Sequence, residues 1–88
     1  MMKVMFICTG NFYRSRVAEI LFNAIAAKTG LNWVADSRGV ALDRSTGTVG
    51  PIAPEALAWL TTHGYEVRLP IRFPIQLQEG DLASADLV

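Results

Sequence analysis

Cys8-Thr9-Gly10-Asn11-Phe12-Tyr13-Arg14-Ser15 is the stretch on which the reading of this chain turns. The run before it, Val4-Met5-Phe6-Ile7, is apolar throughout and reads as a buried strand. The stretch after it, Val17 to Lys28, is amphipathic and reads as a helix. A cysteine at a strand end, five residues, an arginine and then a hydroxyl residue opening a helix builds a phosphate cradle with a nucleophile at its base. The one cysteine of the chain stands there.

Each residue type in the loop has a physical use. A free thiol has a pKa of ~8.5 and is mostly protonated at neutral pH; a helix N-terminus lowers that value. The unpaired N–H groups of Gly10 through Ser15 would favour the thiolate and would also bind a phosphate dianion. Arg14 supplies a planar fork for two phosphate oxygens, which lysine lacks. Ser15 supplies a hydroxyl that stabilises the thiolate as attacking and as leaving group. Gly10 permits a backbone angle other residues avoid. Asn11 tolerates a left-handed conformation and ties the loop through its amide. Singly, Cys8 reads as a small buried hydrophobe, Arg14 as a solvated charge and Ser15 as an N-cap. Together, between a strand and a helix, they read as a site. Cys8, Arg14 and Ser15 are the candidate catalytic residues, and Thr9, Gly10, Asn11, Phe12 and Tyr13 the candidate substrate-binding ones.

Outward from the loop, Lys3 to Cys8 is strand one, buried on both faces as in a parallel sheet. A helix starts near Ser15 or Arg16, with Val17, Ile20, Leu21, Ala24 and Ile25 as its buried stripe and Gly30 as its left-handed cap. Asn32 to Asp36 is strand two, with Trp33 and Val34 as its bulk. Ser37 to Ile52, rich in Gly, Ser and Thr, reads as a long surface loop. Pro54 opens a second helix that ends at His63-Gly64. Pro70 and Pro74 break up the region after Val67, Asp81-Leu82-Ala83 forms one helical turn, and Ala85 to Val88 opens another strand. Trp33 and Trp59 read as core, His63 as a helix C-terminal residue on the dipole. Arg38, Arg44, Arg68 and Arg72 read as solvated.

Composition bounds the rest. Eighty-eight residues, 51% hydrophobic and 18% charged with zero formal net charge, make one small folding domain. There is no basic block to bind nucleic acid and no run approaching the ~20 apolar residues of a membrane span. One cysteine excludes an intramolecular disulfide and a multi-cysteine metal site, and a free thiol suits a reducing compartment. The expectation is a cytoplasmic protein without nucleic-acid or membrane partner. A parallel strand at the end of the chain leaves a sheet edge and face uncovered, so residues 1–88 read as one domain that is C-terminally incomplete.

The stretch from Val4 to Glu19 resembles the N-terminal signature of the low-molecular-weight protein tyrosine phosphatases. Ala35-Asp36-Ser37-Arg38-Gly39, Ile52-Ala53-Pro54-Glu55-Ala56-Leu57 and Leu82-Ala83-Ser84-Ala85-Asp86-Leu87-Val88 extend the likeness over essentially the whole chain. The resemblance implies an α/β three-layer fold with a parallel, Rossmann-like sheet of four strands, of which this chain covers the first three. It implies hydrolysis of a phosphorylated protein or small phosphomonoester through a phosphocysteine on Cys8, with Arg14 holding the phosphoryl group and no metal or organic cofactor. The loop from Gly39 to Gly50 would form one wall of the pocket; it carries no aromatic residue, so either stacking on a phosphotyrosine ring falls to Phe12, Tyr13 or the part of the family fold beyond these residues, or the substrate is something else.

Three departures from the family pattern stand out: two substitutions and the lack of an Asp-Pro pair in these residues. Tyr13 stands where most members carry a second cysteine that shields the nucleophile through a disulfide. Arg16 replaces a proline at the start of the helix, a small loss of preorganisation. The family's general acid lies in an Asp-Pro pair beyond residue 88, and none of Asp36, Asp43, Asp81 and Asp86 is assigned that role. Two alternatives stand beside this reading. Thioredoxin-coupled arsenate reductases share the fold and a similar loop but relay a disulfide through further cysteines. A remnant without the acid would bind an oxyanion without turnover.

Overall fold

Two strands, β1 (Met2–Cys8) and β2 (Trp33–Gly39), lie parallel in the computed structural model, with Met2 opposite Trp33 and Cys8 opposite Gly39. Residues 1–44 and 50–88 are described. The 16-residue helix α1 (Arg14–Thr29) connects the two strands. A short 3-10 turn (Leu42–Arg44), α2 (Pro54–Thr62) and α3 (Glu79–Ser84) come after them. The chain is thus an α/β fold with a parallel sheet, as expected. The third strand is reduced to a single parallel bridge of Leu87 to Val4, on the edge of β1 away from β2. Lys3 O accepts from Asp86 N and Leu87 N, and Met5 N donates to Leu87 O. A second bridge sets Gln76 beside Gly39, so the chain beyond α2 returns to the C-terminal end of the sheet, where the loop is.

The ends of the helices follow their local chemistry. Gly30 takes the left-handed conformation (φ 72°) that ends α1, and its N–H closes on Ala26 O. Pro54 is the first helical residue of α2, and Glu55 lies in its first turn. His63 caps the other end, with Nδ1 2.8 Å from Trp59 O.

Several expectations need correction. Strand two runs to Gly39, not Asp36. Its inward residues are Ala35, Ser37 and Gly39, all small; Trp33 is half-buried and Val34 exposed. Alternation turns Val34 to the opposite face, while Trp33 shares the face of the small residues at the start of the strand. Strand one is buried fully only at Val4 and Met5. The surface loop ends before Ile52, which is buried with Ala53 and Ala56 in the main apolar cluster; Phe12, Val17, Ile20, Leu57 and Ile71 pack against it. Ile52 and Leu57 hold the two positions of a hydrophobic staple at the start of α2.

The stripe read on α1 is also only half right. Val17 and Ile20 pack as expected, but Ile25 is exposed, and the buried positions are Ser15, Arg16 and Ala26. The face of α1 over β2 carries Ser15, Glu19 and Asn23 at steps of four. Asn23 bonds both the N–H and the carbonyl of Ala35, and Glu19 accepts from the Ser37 hydroxyl. Hydrogen bonding, not hydrophobicity, joins this part of the helix to the strand. Trp59 is exposed at the surface, stacked 4.0 Å from the His63 ring, because it falls on the outer side of the short helix α2.

Candidate active site

The loop from Cys8 to the start of α1 sits at the C-terminal end of β1, held from three sides. Val40 N donates to Cys8 O, Ala41 N to Thr9 O and Ala53 N to Phe12 O, each at 3.0 Å. Helix α1 begins at Arg14, a residue before the expected start, with Tyr13 at the capping position and no side-chain cap. Its first N–H groups are therefore available to a ligand.

Cys8 Sγ lies 3.0 Å from Ser15 Oγ, and Asn11 N donates to it at 3.2 Å. Burial works to raise the Cys8 pKa. The Ser15 hydroxyl and the backbone N–H groups of Ser15, Asn11 and Gly10 outweigh it, so the thiol titrates below its ordinary value. The residue in left-handed conformation is Asn11 (φ 51°), not Gly10. Asn11 is fully buried, and its Nδ2 donates to Ser15 Oγ and Ser37 Oγ, each at 2.8 Å. Its amide ties the loop as the sequence suggests.

Cys8, Thr9, Arg14 and Ser15 line a cavity of about 460 Å³ whose remaining wall includes Phe6, Ile7 and Val40. Arg14 is exposed at the first residue of α1 and engages no acid among the described residues. Phe12 turns its ring into the Ile52 cluster, while Tyr13 is the exposed aromatic of the loop. Val40 supplies the wall expected from residues 39–50. The Arg44 side chain and residues 45–49, part of the same expectation, lie outside the described residues. Among the described residues no group of three or more His, Cys, Asp and Glu could hold a metal, and no helix is long and apolar enough to cross a membrane.

An alkylation experiment checks the sulfur directly. The rate of iodoacetamide reaction against pH should give a midpoint below the ~8.5 of a free cysteine. A midpoint at or above that value would make Cys8 a structural thiol.

The site contains residues that sequence reasoning passed over. Gly39 lets the loop backbone approach β2: a Cβ there would stand 2.8 Å from Thr9 O and 2.9 Å from Asn11 N. Arg16 is buried. It donates to Pro51 O at 2.6 Å and Arg72 O at 2.8 Å, so it clamps two loops where a loss of preorganisation was expected. Burial, and next the Arg72 charge, lower its pKa. Arg38 is not solvated; it pairs with Asp36 and Asp81. Burial works to raise the Asp36 pKa, but hydrogen bonds from Arg38 and Ser37 N and the charges of Arg38 and Arg72 hold it low. Arg72, also read as solvated, reaches Asn11, Glu19 and Ser37. The signal for Glu19 was its step of four from Ser15; nothing local announced Arg72.

Cys8 thus lies at the mouth of a helix with the Ser15 hydroxyl and the Asn11 N–H on its sulfur, and Arg14 lines the same cavity. This chain belongs to the low molecular weight phosphotyrosine protein phosphatase family, whose model matches residues 3–88. It is 46% identical over 56 residues to the protein-arginine-phosphatase of Bacillus subtilis (strain 168), a match covering 64% of this chain and 37% of that protein. The low molecular weight protein tyrosine phosphatase from T. tengcongensis superposes with a TM-score of 0.83 at 34% identity, covering 100% of this chain and 57% of the other. A cysteine-to-serine variant of the YwlE arginine phosphatase, with a phosphorylated active-site serine, gives a TM-score of 0.82 at 36% identity, covering 99% of this chain and 53% of that one. This chain thus spans about half the length of the solved relatives it matches.

Proposed function

We propose that these residues carry the nucleophilic and phosphate-binding part of a phosphatase. The observation that supports it best is Cys8 Sγ between the Ser15 hydroxyl and Asn11 N–H, inside a cavity that Arg14 also lines. Cys8 attacks as thiolate. An S–P bond forms, and the bond from phosphorus to the leaving oxygen breaks, its electron pair departing with the alcohol or phenol. Arg14 takes two phosphoryl oxygens in its fork, and loop N–H groups take others. Water then cleaves the S–P bond and releases inorganic phosphate. Ser15 donates to the sulfur as it departs.

The leaving group needs a proton unless it is a stable anion. The family's acid lies beyond residue 88, and the carboxylates near this sheet are engaged: Asp36 with Arg38, Asp81 with Arg38 and Gln78 N, Asp86 with Lys3 N. Such an acid typically contributes ~10²–10⁴-fold, so good leaving groups will be favoured. The substrate class is a phosphorylated protein or small phosphomonoester. The relative named a protein-arginine-phosphatase supports phosphoarginine as a second class. A free thiol at the nucleophile position fits a reducing, cytoplasmic setting.

Hydrolysis of p-nitrophenyl phosphate by this chain and by a longer chain that includes the acid tests the proposal, with Cys8→Ser as the blank. Turnover that survives in Cys8→Ser would contradict it.

A further inference from the structure

We infer that Arg72 is a positioning residue of this site: its guanidinium directs a hydrogen-bond chain so that Ser15 donates to the Cys8 sulfur. This rests on the reading of Cys8 as a nucleophile. The direction is set by which groups have hydrogens to give. A guanidinium donates and never accepts. Arg72 Nη1 donates to Asn11 Oδ1 at 3.0 Å, and Ile75 N donates to the same oxygen at 3.0 Å. The amide is thereby oriented, and its Nδ2 must supply both remaining bonds, to Ser15 Oγ and Ser37 Oγ. Ser15 has then accepted a hydrogen from Asn11, and its own is free for the sulfur 3.0 Å away.

The other half of the chain closes on Arg72 as well. Ser37 Oγ accepts from Asn11 and again from Arg72 Nη2 at 2.9 Å, so its hydrogen goes to Glu19 Oε1 at 2.5 Å. Glu19 in turn pairs with Arg72 Nη2 at 2.8 Å. Asp36 is the other acid that faces Arg72, at 3.5 Å, and Arg16 holds its backbone carbonyl. Ile75 N is held in place by its own bridge, Gly39 N donating to Ile75 O and Leu77 N to Gly39 O, while Arg72 ties to Ser37 O of β2. Without Arg72 the amide loses one of its two orienting donors, the one that carries a positive charge, and keeps the Ile75 N–H. Glu19 loses its ion pair and keeps only the Ser37 hydroxyl and the more distant charge of Arg16. Both changes disfavour ionised Cys8.

The test is the pH dependence of iodoacetamide alkylation in the wild type, Arg72→Met and Arg72→Lys, with a thermal melt of each. In Arg72→Met the Cys8 midpoint should rise by about one unit, which is about tenfold less thiolate at pH values below it. Arg72→Lys keeps the charge but loses the fork that serves Asn11 and Glu19 from separate nitrogens, and should fall between. It carries the decision if the methionine variant does not fold. A folded variant with a lower melting temperature and the wild-type midpoint would make Arg72 a structural strut and overturn the inference. The assay needs no phosphate and no turnover. An ordinary midpoint in the wild type itself would instead sink the reading of Cys8 as a nucleophile.

Discussion

Arg14→Lys should weaken phosphate and vanadate binding by about 10–100-fold while leaving the melting temperature near the wild-type value. The lysine keeps the charge but cannot take two oxygens at once, and a hydrogen bond to a charged group is worth about 1.5–3 kcal/mol, or one to two decades of affinity. Arg14 engages no acid among the described residues and is exposed, so its loss leaves no buried partner unsatisfied. Calorimetric titration with inorganic phosphate reads the effect. Equal affinity in the two proteins would remove Arg14 from the site.

Gly39→Ala should act on the fold and on the sulfur together. The added methyl meets Leu42 Cδ1, Thr9 O and Asn11 N, and two of these are backbone atoms of the loop. Overpacking of this kind costs about 1–3 kcal/mol, enough to lower the melting temperature of a small domain by several degrees. Asn11 N is also the donor that lies 3.2 Å from Cys8 Sγ. Pushed away, it stabilises the thiolate less, and the alkylation midpoint should rise. An alanine variant that melts and alkylates like the wild type would show that the close approach of β2 to the loop does not matter.

These two positions illustrate what could be read in the sequence and what could not. Arg14 was legible because it belongs to eight consecutive residues whose chemistry converges without help from elsewhere. Gly30 and Pro54 were legible for the same reason: a helix end is set by local backbone preference. Gly39 was not, because Ser37-Arg38-Gly39 has the composition of a loop. It forms strand because Cys8 lies opposite Gly39 and Leu77 N and Ile75 O pair with it from the other side, contacts made by distant residues. Arg72, 61 residues from Asn11, carries no local mark of its partners. The polar face of α1 was hidden by an apolar one two positions away. Ser15, Glu19 and Asn23 are spaced for one face, but a search for hydrophobic periodicity steps over them.

The most direct measurement is covalent capture of the phosphoenzyme. The protein is mixed with excess p-nitrophenyl phosphate, whose phenolate leaves without a proton from the enzyme, and quenched in acid at short times. Intact mass and peptide mapping then locate the phosphate. One phosphoryl group per chain is expected, on Cys8, with release of an equal amount of p-nitrophenolate and none of either in Cys8→Ala. Phosphate on another residue, or nitrophenolate released at the wild-type rate by the alanine variant, would contradict it.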